Sequence, residues 1–284
     1  MGGRGPDCSV LLLLLGLGCS AGHHEAQGRA ALEAHDLATA EQAFRRALDR
    51  DPRHVDSLAG LGWTYHLAGQ RGAARSAFAR CVDLAAENAE CLRGLGSLAL
   101  AEGQPGIARD LLGRALAAAP DDPKVLSSVA LMNLGLGEVE KAQERYNELV
   151  RRFPDNAAYR MGLAESLLRL EQPLRTIEEV EAGLAIGETP VRYQAMLWQL
   201  KARALVAASG GRENPEDCAN TAEPVRAWLD AAQMAVDRAL QLDVGLPDLP
   251  AVRRQVLRRR AVLDGNCPLG TPAASEILAP TSEP

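Results

Sequence analysis

The sequence predicts an all-α fold, an α-solenoid in which one helix-turn-helix unit repeats along the chain. The composition is 47% hydrophobic but only 4% aromatic, so Ala and Leu supply most apolar side chains, as suits closely packed helices. The chain aligns with itself at an offset of 34 residues, the step from Gly28 to Gly62 to Gly96. Helix-ending residues follow the same offset. Repeat arrays can exceed the length of one compact domain because each unit packs only on its neighbours.

Two sets of equivalent positions, spaced 34 residues apart and called here columns of the repeat, predict contacts between small and large side chains. A small residue recurs where the two helices of a unit must approach closely, at Gly28, Gly62, Gly96, Ala130 and Ala164. A second small residue precedes a bulky one by four positions, in the pairs Ala40 and Phe44, Ala74 and Phe78, Ala108 and Leu112, and Ala142 and Tyr146. Residues four apart share one helical face, so each pair offers the same packing surface.

Glycine and proline mark the ends of the predicted helices. The turn inside a unit carries Gly69, Gly103 and Gly137, and the stop between units carries Pro52, Pro120 and Pro154. Each unit is therefore predicted as helix, turn, helix, turn.

These columns resemble the signature of the tetratricopeptide repeat family over residues 22–190, which we divide into five repeats. The second repeat matches most fully, with Leu58, Leu61, Gly62, Tyr65, Ala74 and Phe78. The fifth departs from the pattern, since Thr176, Val180 and Glu188 stand in its small, bulky and stop columns. The resemblance implies a solenoid that binds other polypeptides and is not an enzyme.

The period breaks after residue 190. We expect a helix from about Pro190 to Ala208, a turn-rich insertion beginning at Ser209, and a helix from about Pro224 to Leu242. Residues 191–264 are predicted as a divergent sixth repeat with an insertion and a capping helix from Leu249 to Leu263. Residues 265–284, rich in Pro, Ser and Thr, are predicted to be a disordered tail.

The first 21 residues are predicted to be an export signal. The apolar run from Ser9 to Gly18 is too short to span a bilayer but has the length of a secretory signal core. The Leu15–Ser20 segment at the end of that run resembles the lipobox of bacterial lipoproteins. Gly18 and Cys19 fit the pattern, while Gly16 stands where that family prefers Leu. This resemblance implies lipidation of Cys19, and ordinary cleavage after Ala21 is the alternative. The other interpretation is an apolar capping helix in a cytosolic protein.

Four cysteines remain after the signal, and they are candidates for disulfides in an exported protein: Cys81, Cys91, Cys218 and Cys267. The turn between two helices could bring Cys81 and Cys91 within bridging range, and the other two could tie the insertion and tail to the array. Buried thiols are the alternative, which only the Cα separations can decide.

The sequence offers no chemistry for catalysis. The five histidines, His23, His24, His35, His54 and His66, have no acid or Cys partners at ligand spacing, so we expect no metal and no cofactor. No nucleophile elbow or phosphate-binding loop is present, which argues against an enzyme with a small-molecule substrate. A net charge of -6 disfavours nucleic acid, whose binding depends on phosphate neutralisation by Lys and Arg.

The family resemblance implies that the first helix of each repeat lines a groove for a partner protein. The corresponding residues are Trp63, His66, Arg93, Ser97, Leu100, Leu131, Leu134, Met161, Glu165 and Leu168. Their apolar middle suits an amphipathic helix or an apolar extended segment, although some could instead pack internally. The Lys and Asn clamp of chaperone-binding members is missing, because its places hold Ala59, Trp63, Arg93 and Ser97.

One basic segment lies on the predicted capping helix: Arg253, Arg254, Arg258, Arg259 and Arg260. It could meet anionic headgroups or an acidic partner, or it could be a solvated face near a helix C-terminus.

The layout as a whole resembles the assembly factors of type IV and tight-adherence pili. This implies an exported scaffold, lipid-anchored in the outer membrane or free in the periplasm, that assists assembly of a cell-envelope complex such as a pilus or secretion channel. A cytoplasmic adaptor that regulates a partner protein is the alternative.

Overall fold

The computed structural model describes residues 20–187, 189–210, 218–242, 245–246 and 248–267, except for the side chains of residues 219 and 220. The described chain contains thirteen α-helices and no strand, which confirms the all-α prediction. The helices are α1 (Ala21–Glu33), α2 (Leu37–Arg50), α3 (Val55–Leu67), α4 (Arg71–Leu84), α5 (Ala89–Ala101), α6 (Pro105–Ala118), α7 (Pro123–Gly135), α8 (Val139–Arg152), α9 (Ala157–Arg169), α10 (Pro173–Leu184), α11 (Val191–Ala208), α12 (Cys218–Leu242) and α13 (Leu249–Asn266).

The chain forms two compact units, unit 1 (Met1–Leu136) with α1 to α7 and unit 2 (Gly137–Pro284) with α8 to α13. Within each unit every helix packs against the next one in sequence. In unit 1 each odd-numbered helix also contacts the next odd-numbered helix, so α1, α3, α5 and α7 form a continuous layer, called here the first-helix layer. In unit 2 the corresponding contacts join α9 to α11 and α11 to α13.

The start of each first helix is set by a capping residue that also follows the 34-residue period. The side chains of Ser20, His54, Asn88, Asp122 and Asn156 each accept a hydrogen bond from the backbone N–H three residues later. Such a bond satisfies one of the free N–H groups at a helix start. Ser20 is therefore the cap of the first helix that the structure describes.

The bulky column of the repeat occupies space left by glycines on two neighbouring helices. A Cβ atom added to Gly28 or to Gly60 would stand within 3.0 Å of the Phe44 ring. Gly62 and Gly94 enclose the Phe78 ring in the same way. Both rings are at most 1% exposed. The second glycine of each pair comes from the following repeat, so the same large residue joins the helices of its own repeat and the next repeat.

The turn inside each repeat requires a left-handed residue at the same column. Gly69, Gly103 and Gly137 adopt φ values of 74°, 70° and 77°. The first and fifth repeats have His35 and Glu171 there, with φ values of 57° and 56°. This conformation costs a residue with a Cβ atom about 1 kcal/mol or more relative to glycine.

The fifth repeat forms its helices despite its unusual residues. Thr176 and Val180 of α10 are fully buried, and the Thr176 hydroxyl donates to the Gln172 carbonyl at 2.9 Å. That bond satisfies the hydroxyl without disturbing the packing. The third unusual residue, Glu188, lies outside the described residues.

The end of unit 2 departs from the expected helix boundaries. Helix α12 begins at Cys218, before the expected start at Pro224, and α13 ends at Asn266, beyond the expected end at Leu263. The early turns of α12 pack through Ala222 and Val225 against the end of α13, and this burial outweighs the helix-breaking tendency of proline. Residues 1–19 of the predicted signal, residues 211–217 of the insertion and the tail from residue 268 lie outside the described residues.

Two disulfides join the four candidate cysteines. Cys81, on α4, is bonded to Cys91, on α5, with a Cα separation of 6.1 Å. Cys218, at the start of α12, is bonded to Cys267, directly after α13, with a Cα separation of 5.3 Å. Both separations lie in the normal range for a disulfide. The second bond closes the end of unit 2.

Candidate partner-binding groove

Seven of the predicted groove residues lie on the first-helix layer of unit 1. Trp63 and His66 come from α3, Arg93, Ser97 and Leu100 from α5, and Leu131 and Leu134 from α7. Leu131 is 53% exposed, while the other residues except Leu134 are partly buried. Leu134 is only 5% exposed, which favours for this residue the alternative of packing internally.

Trp63 is held by three neighbours. The Arg93 guanidinium lies over the indole ring, 3.9 Å from its centroid, and donates two hydrogen bonds to the Glu90 carboxylate at 2.6 and 3.1 Å. The rings of His66 and Phe78 meet the indole edge to face at 5.5 and 5.2 Å. The two charge-assisted hydrogen bonds to Glu90 and the cation–π contact together orient Arg93 on Trp63.

Two nitrogen atoms in this cluster are buried without a hydrogen-bond partner among the described residues, Trp63 Nε1 and His66 Nδ1. Burial lowers the pKa of His66, and the positive charges of Arg71 and Arg93 lower it further. The imidazole is therefore neutral at neutral pH. An unmatched polar group costs about 1–3 kcal/mol when it is buried, so a hydrogen-bonding partner would stabilise each nitrogen.

Beside Trp63 lies a cavity of about 280 Å³ whose walls come from α1, α2, α3, α5 and α7. Its charged lining residues are the acids Glu25, Glu33, Asp56 and Glu90 and the bases Arg29 and Lys124. Arg29 pairs with Glu25, and that ion pair raises its pKa. The cavity gives the groove a polar end, whereas Leu131 supplies an exposed apolar surface on α7.

Sequence reasoning missed all six charged residues around this cavity. A usable signal was present, because Asp56, Glu90 and Lys124 occupy one column of the repeat at successive steps of 34 residues. That column follows each cap by two positions and places a charge at the start of α3, α5 and α7.

In unit 2 the predicted groove residues are engaged within the chain. The Glu165 carboxylate accepts hydrogen bonds from Arg169 and from Arg203 of α11, each at 2.8 Å. Met161 and Leu168 are partly buried against the core. The described part of the chain also holds no group of three or more His, Cys, Asp or Glu residues placed to bind a metal ion.

The fold defines a helical-repeat protein in which consecutive helices pack in pairs. The sequence matches the tetratricopeptide repeat family over residues 25–89, 93–142 and 130–189, more than half of the chain. The chain therefore belongs to that family, as the repeat columns predicted. Members of this class are generally protein-binding scaffolds without catalytic activity.

Solved structures share the fold at low sequence identity. A chain of the Cut9–Hcn1 hetero-tetramer of the APC/C is 14% identical with a TM-score of 0.68. The match covers 88% of this chain and 45% of that chain, so this chain spans less than half of the matched chain. PilW, described as a widely conserved type IV pilus biogenesis factor, is 14% identical with a TM-score of 0.62, over 82% and 98%. PilF of Pseudomonas aeruginosa is 16% identical with a TM-score of 0.59, over 83% and 97%. No curated protein matches the sequence significantly.

Proposed function

We propose that this chain is an exported, lipid-anchored and non-enzymatic scaffold that holds a segment of a partner protein during assembly of a cell-envelope complex. The single observation that carries the binding role is the pair of buried, unmatched nitrogens of Trp63, which lines the cavity, and of its neighbour His66. A peptide backbone can supply the missing hydrogen bonds, and an amphipathic helix or apolar extended segment can cover Leu131.

Export is supported by two features of the structure. The two disulfides suit an oxidising compartment, since thiols are kept reduced in the cytosol. The cap at Ser20 favours cleavage before Cys19, because cleavage after Ala21 would remove the cap of α1, worth about 1 kcal/mol. Cys19 lies outside the described residues, and none of the described helices is long and apolar enough to cross a membrane.

The assembly role is supported by likeness of fold alone. PilW is named as a type IV pilus biogenesis factor, and this chain matches nearly its whole length. We propose a pilus or secretion channel as the complex on this basis. A cytoplasmic adaptor is the competing function.

The groove is tested by photo-crosslinking in native cells. A crosslinking residue at position 131, on α7, is expected to capture a partner polypeptide that mass spectrometry identifies. Position 107 is a matched control, because Ile107 of α6 is 54% exposed against 53% for Leu131 but lies outside the first-helix layer. Once the partner is identified, Leu131→Asp should abolish its co-purification with unchanged helicity, while Ile107→Asp should not. Equal capture from both positions would remove the groove from the proposal.

The export step is tested separately by the intact mass of the native protein. An acylated N-terminal Cys19 is expected. A chain that retains Met1 would support the cytoplasmic adaptor instead.

A further inference from the structure

Helix α13 closes unit 2 and has one buried and one exposed side. The buried side consists of Leu249, Val252, Val256 and Leu263, each at most 3% exposed. The opposite side carries apolar and basic residues together, namely Pro250, Arg253, Arg254, Leu257, Arg258 and Ala261, all exposed.

The five arginines of this helix fall into two groups. Arg259 donates to the Ser209 carbonyl at 2.6 Å, and Arg260 pairs with Asp230 of α12, so these two hold α13 in place. Arg253, Arg254 and Arg258 form no ion pair or hydrogen bond with any residue that the structure describes. All three side chains are exposed.

Apolar side chains lie among the three arginines. Leu257 is 53% exposed and stands one helical turn after Arg253 and Arg254, which places it beside both. Between Pro250 and Val262 this helix carries no acidic residue. The flanking acids are Asp248, the N-cap, and Asp264, which pairs with Arg226 at 3.5 Å. The result is a local positive surface on a chain whose net charge is -6.

We propose that this exposed side of α13, called here the basic-apolar face, binds the surface of an anionic phospholipid layer. The three guanidinium groups contact lipid phosphates while Leu257 and Ala261 enter the boundary between headgroups and acyl chains, as in interfacial helices. The long arginine stems let the charges stay at headgroup level while the apolar side chains go deeper. A flat layer suits this face better than an acidic protein segment, because one side of a single helix is convex and its apolar residues are interleaved with the charges.

The experiment measures co-sedimentation of the full-length chain with vesicles. The chain carries Cys19→Ala so that no acyl group contributes. Vesicles of phosphatidylglycerol with phosphatidylcholine are compared with vesicles of phosphatidylcholine alone. We expect binding to the anionic vesicles that weakens as salt is added.

Two triple variants separate this face from net charge. Replacing Arg253, Arg254 and Arg258 by Gln should weaken binding about 100-fold, given roughly a fivefold effect per arginine near an anionic surface. The control replaces three exposed arginines of unit 1, Arg46, Arg50 and Arg53, by Gln, which changes the net charge equally.

The control triple should retain most of the binding, and Leu257→Gln should weaken it several-fold. Circular dichroism verifies that each variant is folded. The proposal is overturned if the parent chain does not bind anionic vesicles, or if the two triple variants lose binding equally. An acidic protein as the true ligand would give the first of these results. Capture at position 131 is independent of these outcomes.

Discussion

The glycine pockets around Phe78 predict opposite effects for one substitution at two sites. Gly62→Ala places a Cβ atom 2.5 Å from the Phe78 ring, and the ring cannot retreat because Gly94 of α5 closes its other side. Gly113→Ala, in α6, adds a Cβ atom to a site with no other atom within 4 Å. Both changes bring the same gain in helix propensity, about 1 kcal/mol.

The difference between the two variants isolates the cost of overpacking, about 1–3 kcal/mol. Gly113→Ala should raise the free energy of unfolding by up to about 1 kcal/mol. The free energy of unfolding of Gly62→Ala should be about 1–3 kcal/mol lower than that of Gly113→Ala. Urea unfolding followed by circular dichroism measures both, provided that the dependence on urea concentration is unchanged. Equal free energies of unfolding for the two variants would refute the assignment of Gly62 to a tight helix crossing.

Three further predictions concern the turns, the second disulfide and the buried histidine. His35→Gly should stabilise the chain by about 0.5–1 kcal/mol in thermal or urea unfolding, because φ is positive at that position. Gly69→Ala should destabilise it by about 1–2 kcal/mol for the same reason. If both variants changed the free energy of unfolding in the same direction, the left-handed turn would be contradicted. Replacing both Cys218 and Cys267 by Ser should lower the free energy of unfolding by about 4 kcal/mol, since the bond closes a loop of 49 residues, and an unchanged urea midpoint would exclude the bond. The pKa of His66 is lower in the folded chain than in the unfolded chain, so as the pH falls the imidazole is protonated first in the unfolded state. The free energy of unfolding is therefore retained above about pH 6.5 and falls as the pH drops below it. A His66→Gln variant should lose part of that pH dependence, and identical pH profiles would show that His66 does not cause it.

The repeat columns determined the fold because their contacts are local. Phe44 and Phe78 each meet a glycine of their own repeat and a glycine of the next, so the interval between them already encodes which helices pack together. The caps and turns follow the same interval, and they set where helices begin and end. For this reason the thirteen helices, up to the small shifts at the end of unit 2, could be predicted from the sequence.

The candidate site could be predicted only by helix and face. Family geometry placed both Leu131 and Leu134 in the groove, but Leu131 is 53% exposed and Leu134, three residues later, is only 5% exposed. A column of the repeat specifies which helix carries a residue, whereas burial depends on the neighbours across the layer. The stacking of Arg93 on Trp63 and the unmatched nitrogens are likewise relations between helices.

The sequence by itself determined the class of this protein, its repeat length and the order of its helices, because these depend on residue types recurring at short range. Only the tertiary structure decided which arginines of α13 stabilise the fold and which remain exposed, and that α12 continues through Pro224. These outcomes depend on contacts between residues up to 50 positions apart, such as that of Ser209 with Arg259, which no local pattern records.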